Sequence, residues 1–301
     1  MKSLRASGVN AIQIHPYARI YKNGRVNNRS FNDPKNPPIW ITRPIAEAKK
    51  LGMKIMMKPH IAYWGSGFKW RGAIRFTSKK EWRRFFRDYE DWIVKIAAMS
   101  TGADVFVVGT ELDQTIQYHA DWRRIIARVR KVYRGRITYA ANWTDYKRVT
   151  FWKDLDAIGI QSYFPIVAET QSKKNPTRQA LTKGWQDLIR QLDAEGKKQG
   201  KPILLTELGY NRSFNAPYRP WEHNSDGLAA ESIQTLCLDV ALEALAKSKY
   251  IKGAYLWKCF PGRRRPSNFD HTAPAVTRVI EKHWARPRLA RPTKPKKIGK
   301  L

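Results

Sequence analysis

The chain is poor in acidic residues, in cysteine and in long apolar runs, and each shortage excludes a class of protein. Of its 301 residues only 25 are Asp or Glu, against 57 Lys or Arg, which gives a net charge of +32. Cys237 and Cys259 are too few for a disulfide framework and lack metal-ligand spacing. No segment approaches the roughly 18 to 20 uninterrupted apolar residues that cross a bilayer. We therefore expect a folded chain with no membrane partner.

Several sequence signals are also missing. The first ten residues lack the apolar region and the small-residue cleavage site of a secretory signal, so nothing in the chain assigns a compartment. No GxGxxG or GxxxxGK[ST] string follows an early strand-like run, which argues against a nucleotide-binding doubly wound sheet. The histidines show neither HxH nor HExxH spacing. We expect no cofactor and no metal site.

The excess of positive charge has two explanations that the sequence leaves open. One is a nucleic acid or an anionic polysaccharide as partner, because clustered Lys and Arg bind polyanions with salt-sensitive affinity. The other is a solvated, generally basic surface. Basic runs occur at 79–87, at 263–265 and in the tail 286–301, where interspersed prolines predict an extended, flexible segment. Because most of the excess is spread along the chain, we favour the basic surface.

Short aliphatic runs alternate with longer segments of helical period, which predicts β/α units and a parallel sheet. The strand-like runs cover 9–14, 54–58, 105–109, 137–141, 157–161, 202–206 and 253–257. The helical segments cover 39–50, 79–100, 121–133, 177–199, 227–247 and 274–284. The pattern favours a (β/α)8 barrel in a single domain, 1–285, followed by the tail, and we expect a monomer. Since a closed barrel takes eight strands, we expect its first strand to lie upstream of Met1 or to be truncated.

Most strand-like runs end in polar or aromatic clusters, which would meet at the carboxyl-terminal face of the barrel, where barrel enzymes place their active sites. Two of these clusters, GTEL and TELGY, contain Glu111 and Glu207. Glycoside cleavage needs two carboxyl groups, one that protonates the leaving oxygen and one that attacks the anomeric carbon. A lone Glu at a strand end is often a surface ion-pair partner. Two of them in such similar settings favour catalysis.

Several motifs taken together resemble glycoside hydrolase family 113, over nearly the whole chain. They are KPHI with Trp64, GTEL, WRRIIARVRKVYRGRITYAANW, FWKDLDAIGIQSYFP, Gly184 with Trp185, and TELGY. The resemblance implies a clan A barrel that cleaves β-1,4-mannan by double displacement, with Glu111 as acid/base and Glu207 as nucleophile. It also implies that Trp257 lies under the cleaved sugar and that Tyr163 bonds near the nucleophile. Thr110 departs from the Asn that many clan A enzymes place before the acid/base, which puts the contact to the sugar 2-hydroxyl in doubt.

Candidate substrate-binding residues share a position at or just past a strand end. Flat aromatic rings stack on sugar faces, although any single one could merely pack the barrel top. The candidates are His60, Trp64, Asn142, Trp143, Tyr163, Tyr210 and Trp257. Asp113 could line the same cleft, whereas Asp104 and Asp156 precede their strands. The tryptophans within helical segments, such as Trp92 and Trp122, are expected to pack the core.

The favoured function is therefore a retaining glycoside hydrolase acting on β-linked polysaccharide, with endo-β-1,4-mannan as the expected substrate. One alternative is a catalytically silent basic barrel that binds anionic polysaccharide or nucleic acid. Another is a hydrolase of an acidic glycan, drawn in by the positive field.

Overall fold

In the computed structural model, residues 1–27, 33–168, 176–259 and 269–285 are described. The strands are β1 Ala11–Ile14, β2 Tyr17–Ile20, β3 Val26–Asn27, β4 Lys54–Met57, β5 His60–Ala62, β6 Val105–Thr110, β7 Arg136–Asn142, β8 Ile158–Ser162, β9 Ile203–Leu208 and β10 Ile251–Leu256. The helices are α1 Lys2–Ala6, α2 Ile39–Lys50, α3 Lys79–Met99, α4 His119–Val132, α5 Arg178–Gln199, α6 Glu231–Leu245 and α7 Pro274–Trp284. Every strand and helix segment expected from the sequence is present.

The main sheet is a nearly closed parallel barrel. Its seven strands run in the order β1-β4-β6-β7-β8-β9-β10, and every neighbouring pair is parallel. Within the described residues β1 and β10 form the two edges of this sheet. The predicted (β/α) barrel is therefore confirmed, with seven strands in the described part of the chain.

Two apolar layers hold the barrel together. A small inner layer in the barrel contains Met56, Val107, Ala140 and Tyr255, from β4, β6, β7 and β10. A larger outer layer lies between the strands and the helices. The helical tryptophans belong to this outer layer, as the sequence predicted, with Trp92 and Trp122 fully buried and Trp185 1% exposed.

A second, three-stranded sheet was not predicted from the sequence. Its strand order is β3-β2-β5. Along the chain β2 follows β1 and β5 follows β4, so this sheet lies beyond the carboxyl ends of those two barrel strands. In it, Tyr17 pairs with His60, whose backbone N–H donates to Pro16 O at 2.8 Å. Strands of two to four residues are too short to show an alternating pattern. This sheet builds one wall above the carboxyl-terminal face of the barrel.

The surface carries the positive charge that the composition implies. The basic run 79–87 lies in α3, where Lys79, Lys80, Arg83 and Arg87 are exposed. The other two basic segments, 263–265 and the expected tail 286–301, lie outside the described residues. No helix in the described ranges is both long and apolar enough to span a membrane.

Gly109, in β6 two residues before Glu111, allows this strand to pack closely against α4 and β7. A Cβ atom placed on Gly109 would lie 2.5 Å from the Trp122 ring and 2.7 Å from the Tyr139 ring. Both rings are fully buried, so neither has room to move aside. The glycine is therefore required by close packing.

We predict that Gly109→Ala lowers the free energy of unfolding by about 1–3 kcal/mol, the usual cost of overpacking a core. The measurement is the midpoint of equilibrium denaturation in urea. Gly253→Ala, in β10, is the matched control, because its nearest neighbour would be a Leu204 methyl at an ordinary 3.4 Å. Equal stability of the two variants would contradict this packing account.

Candidate active site

The carboxyl ends of the barrel strands open into a cavity of about 850 Å³ that Glu111 and Glu207 both line. Glu111 follows β6, and Glu207 lies near the end of β9. Five of the seven expected substrate-binding residues line the same cavity. They are Trp64, Asn142, Trp143, Tyr163 and Trp257.

Glu207 is held by hydrogen bonds to both of its carboxylate oxygens. Its Oε1 forms an ion pair with the Lys58 ammonium group, and its Oε2 accepts a 2.6 Å hydrogen bond from the Tyr163 hydroxyl. Lys58 also donates to Gln161 Oε1 at 3.0 Å and to Thr206 O at 3.1 Å. All of these groups are buried, so the carboxylate has one fixed orientation.

The surroundings of Glu207 favour its ionised form. Burial on its own would raise the pKa of Glu207, because a charged group loses its water. The positive charge of Lys58, with hydrogen bonds from Lys58 and Tyr163, outweighs burial and lowers the pKa below its ordinary value. Glu207 is therefore a carboxylate at neutral pH.

Glu111 has the opposite tendency. Its pKa is raised, mainly by burial and also by the negative charge of Glu207, although Arg71 and Lys58 oppose the rise. Arg71 Nη1 donates to Glu111 Oε2 at 2.7 Å, and both side chains remain partly open to the cavity. The two carboxyl groups thus differ in proton affinity, which is the division of labour that acid/base catalysis with a separate nucleophile requires.

The backbone turns sharply at Glu111, which has a positive φ of 49°. Its N–H donates to Ala140 O at 2.9 Å, and the next N–H, of Leu112, donates to the Tyr139 hydroxyl at 3.0 Å. Positive φ in a residue with a side chain is strained and tends to occur at functional sites. Thr110 donates its hydroxyl to Pro59 O at 3.0 Å.

Two histidines, His60 buried and His15 partly buried, lie beside Glu207. His60 Nε2 is 3.9 Å from Glu207 Oε1, and the His60 ring contacts His15, whose ring in turn meets Trp257 at 5.2 Å. Burial, with nearby positive charges, lowers the pKa of His60 and brings that of His15 to about 3, so both rings are neutral. Neither nitrogen of His60, nor His15 Nε2, has a hydrogen-bond partner among the described residues. His60, expected from the sequence to bind substrate, is 1% exposed and does not line the cavity, so in this structure it shapes the surroundings of Glu207.

His15, His60 and Glu207 also place three potential metal-ligand atoms within 4.8 Å of one another. However, Glu207 Oε1 already pairs with the Lys58 ammonium group. A metal ion at this point would face a buried positive charge at short range, which is costly in a low-dielectric site. The chemistry of the trio therefore does not fit a cation.

The remaining expectations have mixed outcomes. Tyr210 does not reach the cavity: it is 2% exposed, and its hydroxyl accepts a hydrogen bond from Trp185 Nε1 at 3.1 Å. Asp113 does line the cavity, as predicted. Asp104 and Asp156 lie at the amino-terminal ends of their neighbouring strands, where they accept from the backbone N–H groups of Ile55 and Ile137.

Sequence reasoning missed several residues that shape the site. Lys58 belongs to the KPHI motif and Gln161 to IGIQSYFP, but neither was singled out. A Lys directly after an apolar strand is a signal that an acidic partner lies nearby, because a buried Lys is almost always paired. Arg71 begins a three-residue 3-10 helix and Trp221 lies in a turn, and neither is long enough for periodicity to mark the direction of a side chain. Their contribution depends on how the loops fold back over the barrel.

A parallel barrel with two buried, electrostatically different carboxyl groups and aromatic walls at its carboxyl-terminal face defines a glycoside hydrolase. The chain belongs to glycoside hydrolase family 113, whose family model matches residues 1–265. No protein in a search of curated sequences matches it.

Solved structures agree with this fold. The GH113 β-mannanase AaManA from Alicyclobacillus acidocaldarius, in complex with ManMIm, superposes with a TM-score of 0.78 at 22% identity, covering 94% of this chain and 89% of that one. A GH113 β-1,4-mannanase has a TM-score of 0.77 at 22% identity, with 94% and 90% covered. A β-glucuronidase from Ruminococcus gnavus has a TM-score of 0.62 at 11% identity, with 94% and 45% covered.

We predict that Lys58→Met moves the acidic limb of the kcat/KM pH profile to higher pH. Without the ammonium group, burial dominates and the pKa of Glu207 rises, so its carboxylate form is lost at a higher pH. The variant should also be destabilised at neutral pH by about 3–5 kcal/mol, because it leaves a buried carboxylate without its ion-pair partner.

Lys54→Met is the matched control for this prediction. Lys54 begins the same strand, at the opposite end of the barrel, where its exposed side chain pairs with Asp104 at 2.8 Å. Its pH profile should match that of the parent chain. An unshifted acidic limb in Lys58→Met, or an equal shift in both variants, would show that Lys58 does not set the ionisation of Glu207.

Proposed function

We propose that this glycoside hydrolase cleaves β-1,4-linked mannan internally, with retention of anomeric configuration, using Glu207 as nucleophile and Glu111 as acid/base. The observation that carries the proposal is the opposite environment of the two carboxyl groups in one cavity. Lys58 and Tyr163 favour ionised Glu207, while burial favours protonated Glu111. The mannan substrate is supported by the β-mannanases of the same family that share the fold.

In the first step, Glu207 Oε attacks the anomeric carbon while Glu111 gives its proton to the glycosidic oxygen. A carbon–oxygen bond to Glu207 forms, the bond to the leaving sugar breaks, and the leaving sugar departs as a neutral alcohol. Arg71 lies against Glu111 and is positioned to stabilise the carboxylate that this proton transfer creates.

In the second step, Glu111 acts as a base and removes a proton from a water molecule. The water oxygen attacks the anomeric carbon, and Glu207 leaves as a carboxylate. Lys58 and the Tyr163 hydroxyl receive the returning negative charge, because both already bind the carboxylate oxygens. Two inversions at the same carbon give net retention.

Aromatic side chains that line the cavity supply the contacts to the sugar in this proposal. Trp257 lines the cavity together with Glu207, and its ring contacts His15, which lies behind the exposed wall of the site. Trp64, 58% exposed, extends the aromatic wall away from the carboxyl pair. A binding barrel without catalysis would need no such coupled pair of carboxyl groups, which is why we prefer hydrolysis.

We predict that Glu207→Ala abolishes turnover of β-mannan and that Glu111→Ala slows it by about 10²–10⁴-fold, the usual contribution of general acid–base catalysis. On 2,4-dinitrophenyl β-mannobioside, whose leaving group needs no protonation, Glu111→Ala should still form the glycosyl-enzyme. Steady-state kinetics on both substrates measure this difference.

Added azide separates the two roles. In Glu111→Ala, azide should attack the glycosyl-enzyme and give the β-mannobiosyl azide, whereas in Glu207→Ala it should replace the carboxylate and give the α-anomer. NMR spectroscopy of the products identifies the anomer. Full activity of either variant on mannan, or the reverse pattern of anomers, would refute the assignment.

A further inference from the structure

A second group of polar side chains lies in the cavity, next to Glu111 and beyond β7. Asp113 begins a short 3-10 helix two residues after Glu111, and Asp145 follows the end of β7. Both line the cavity. Asp113 is only 6% exposed, and its Oδ2 accepts a 3.3 Å hydrogen bond from Asn142 Nδ2. Its Oδ1 is buried without a hydrogen-bond partner among the described residues.

The two carboxyl groups differ in charge at neutral pH. Burial, followed by the negative charge of Asp145 and a weaker effect of Glu111, raises the pKa of Asp113 to about 8. Although burial opposes it, hydrogen bonds from Thr144 and Arg148 lower the pKa of Asp145. Asp113 is then a neutral acid that can donate, beside a carboxylate that accepts. Sugar hydroxyls, which both donate and accept, match such a pair.

An aromatic platform lies at the same end of the cavity. Trp143 and Trp221 are stacked, with ring centroids 5.4 Å apart and an interplanar angle of 20°. Trp143 also contacts Phe164 at 5.7 Å, which supports it from behind. Trp221 remains 42% exposed and lines the cavity. A flat, partly exposed ring held by a second ring is suited to stack on a pyranose.

The position of this group indicates which sugar it would bind. The rings of His15, His60 and Trp257 surround Glu207, whereas Asp113 lies beside Glu111. Since the acid/base protonates the leaving oxygen, the Glu111 side receives the departing sugar. We propose that Asp113, Asp145, Trp143 and Trp221 form a subsite for a neutral hexopyranose unit of the leaving group.

This subsite rests on the proposed function, and it also makes a choice among substrates. A uronic acid in this position would bring its carboxylate close to Asp145 and Glu111, which disfavours it electrostatically. The overall positive charge of the chain therefore does not translate into a site for an acidic sugar here. The preference for a neutral sugar is built from side chains that line the cavity.

The test compares Trp221→Ala and Asp113→Ala on two substrates. β-1,4-Mannopentaose places sugars on both sides of the cleaved bond, whereas β-mannobiosyl fluoride has a single atom as leaving group. Both variants should lose about tenfold more kcat/KM on mannopentaose than on the fluoride, which corresponds to about 1.4 kcal/mol. Trp221 is a surface side chain, so its variant should fold even if the buried Asp113→Ala does not. Equal losses on the two substrates would overturn the subsite.

Leu228→Ala is the matched control, because Leu228 is 73% exposed, lies beyond Trp221 in the chain and does not line the cavity. Its kinetics should follow the parent chain on both substrates. If the parent chain hydrolyses neither substrate, the proposed function fails, and the subsite is decided by binding. In calorimetric titration, the affinity of Glu207→Gln for mannopentaose should then fall about tenfold when Trp221→Ala is added. Unchanged affinity would overturn the subsite.

The same titration with a β-1,4-linked mannuronate pentamer tests the preference for a neutral sugar. Glu207→Gln should bind it about tenfold less tightly than mannopentaose. Equal or tighter binding of the mannuronate would overturn that preference.

Discussion

The ion pair between Lys58 and Glu207 is the constraint on which the rest of the site depends. Burying two charges is costly, and the cost is met only where geometry and additional hydrogen bonds are favourable. Here Lys58 directly follows β4, and Glu207 lies in β9. Gln161, which also binds the ammonium group, lies in β8, the neighbour of β9. The register between β8 and β9 therefore determines which side chains meet at the ion pair, because Gln161 pairs directly with Glu207 across the sheet.

The same interaction explains how two identical side chains differ in proton affinity. The carboxyl groups of Glu111 and Glu207 are both largely removed from water, which favours the neutral acid in each case. Only Glu207 has a buried ammonium group and a phenol hydroxyl directed at its oxygens, so it alone is driven to the charged form. Arg71 pairs with Glu111 but leaves it partly open to the cavity, and it does not reverse the effect of burial.

The sequence predicted the barrel well because aliphatic runs and helical periods report burial directly. It also predicted that both glutamates reach one cavity, since carboxyl ends of parallel strands meet at one face. Tyr210 shows where this reasoning stops: side chains alternate along a strand, so Tyr210 follows Leu208 outward toward Trp185 while Glu207 faces inward. Arg71, Trp221 and the small sheet that positions His60 come from loops and very short strands. Their places depend on tertiary contacts that local sequence does not reveal.

The most direct test of the account is to trap the glycosyl-enzyme with 2-deoxy-2-fluoro-β-mannosyl fluoride and to locate the label by mass spectrometry of the digested protein. The fluorine at C2 slows the second step more than the first, because it destabilises the positively charged transition state while the fluoride leaving group preserves the first step. The account predicts one stable adduct per chain, on the peptide that contains Glu207. An adduct on Glu111, or hydrolysis of mannan without any accumulating adduct, would contradict it.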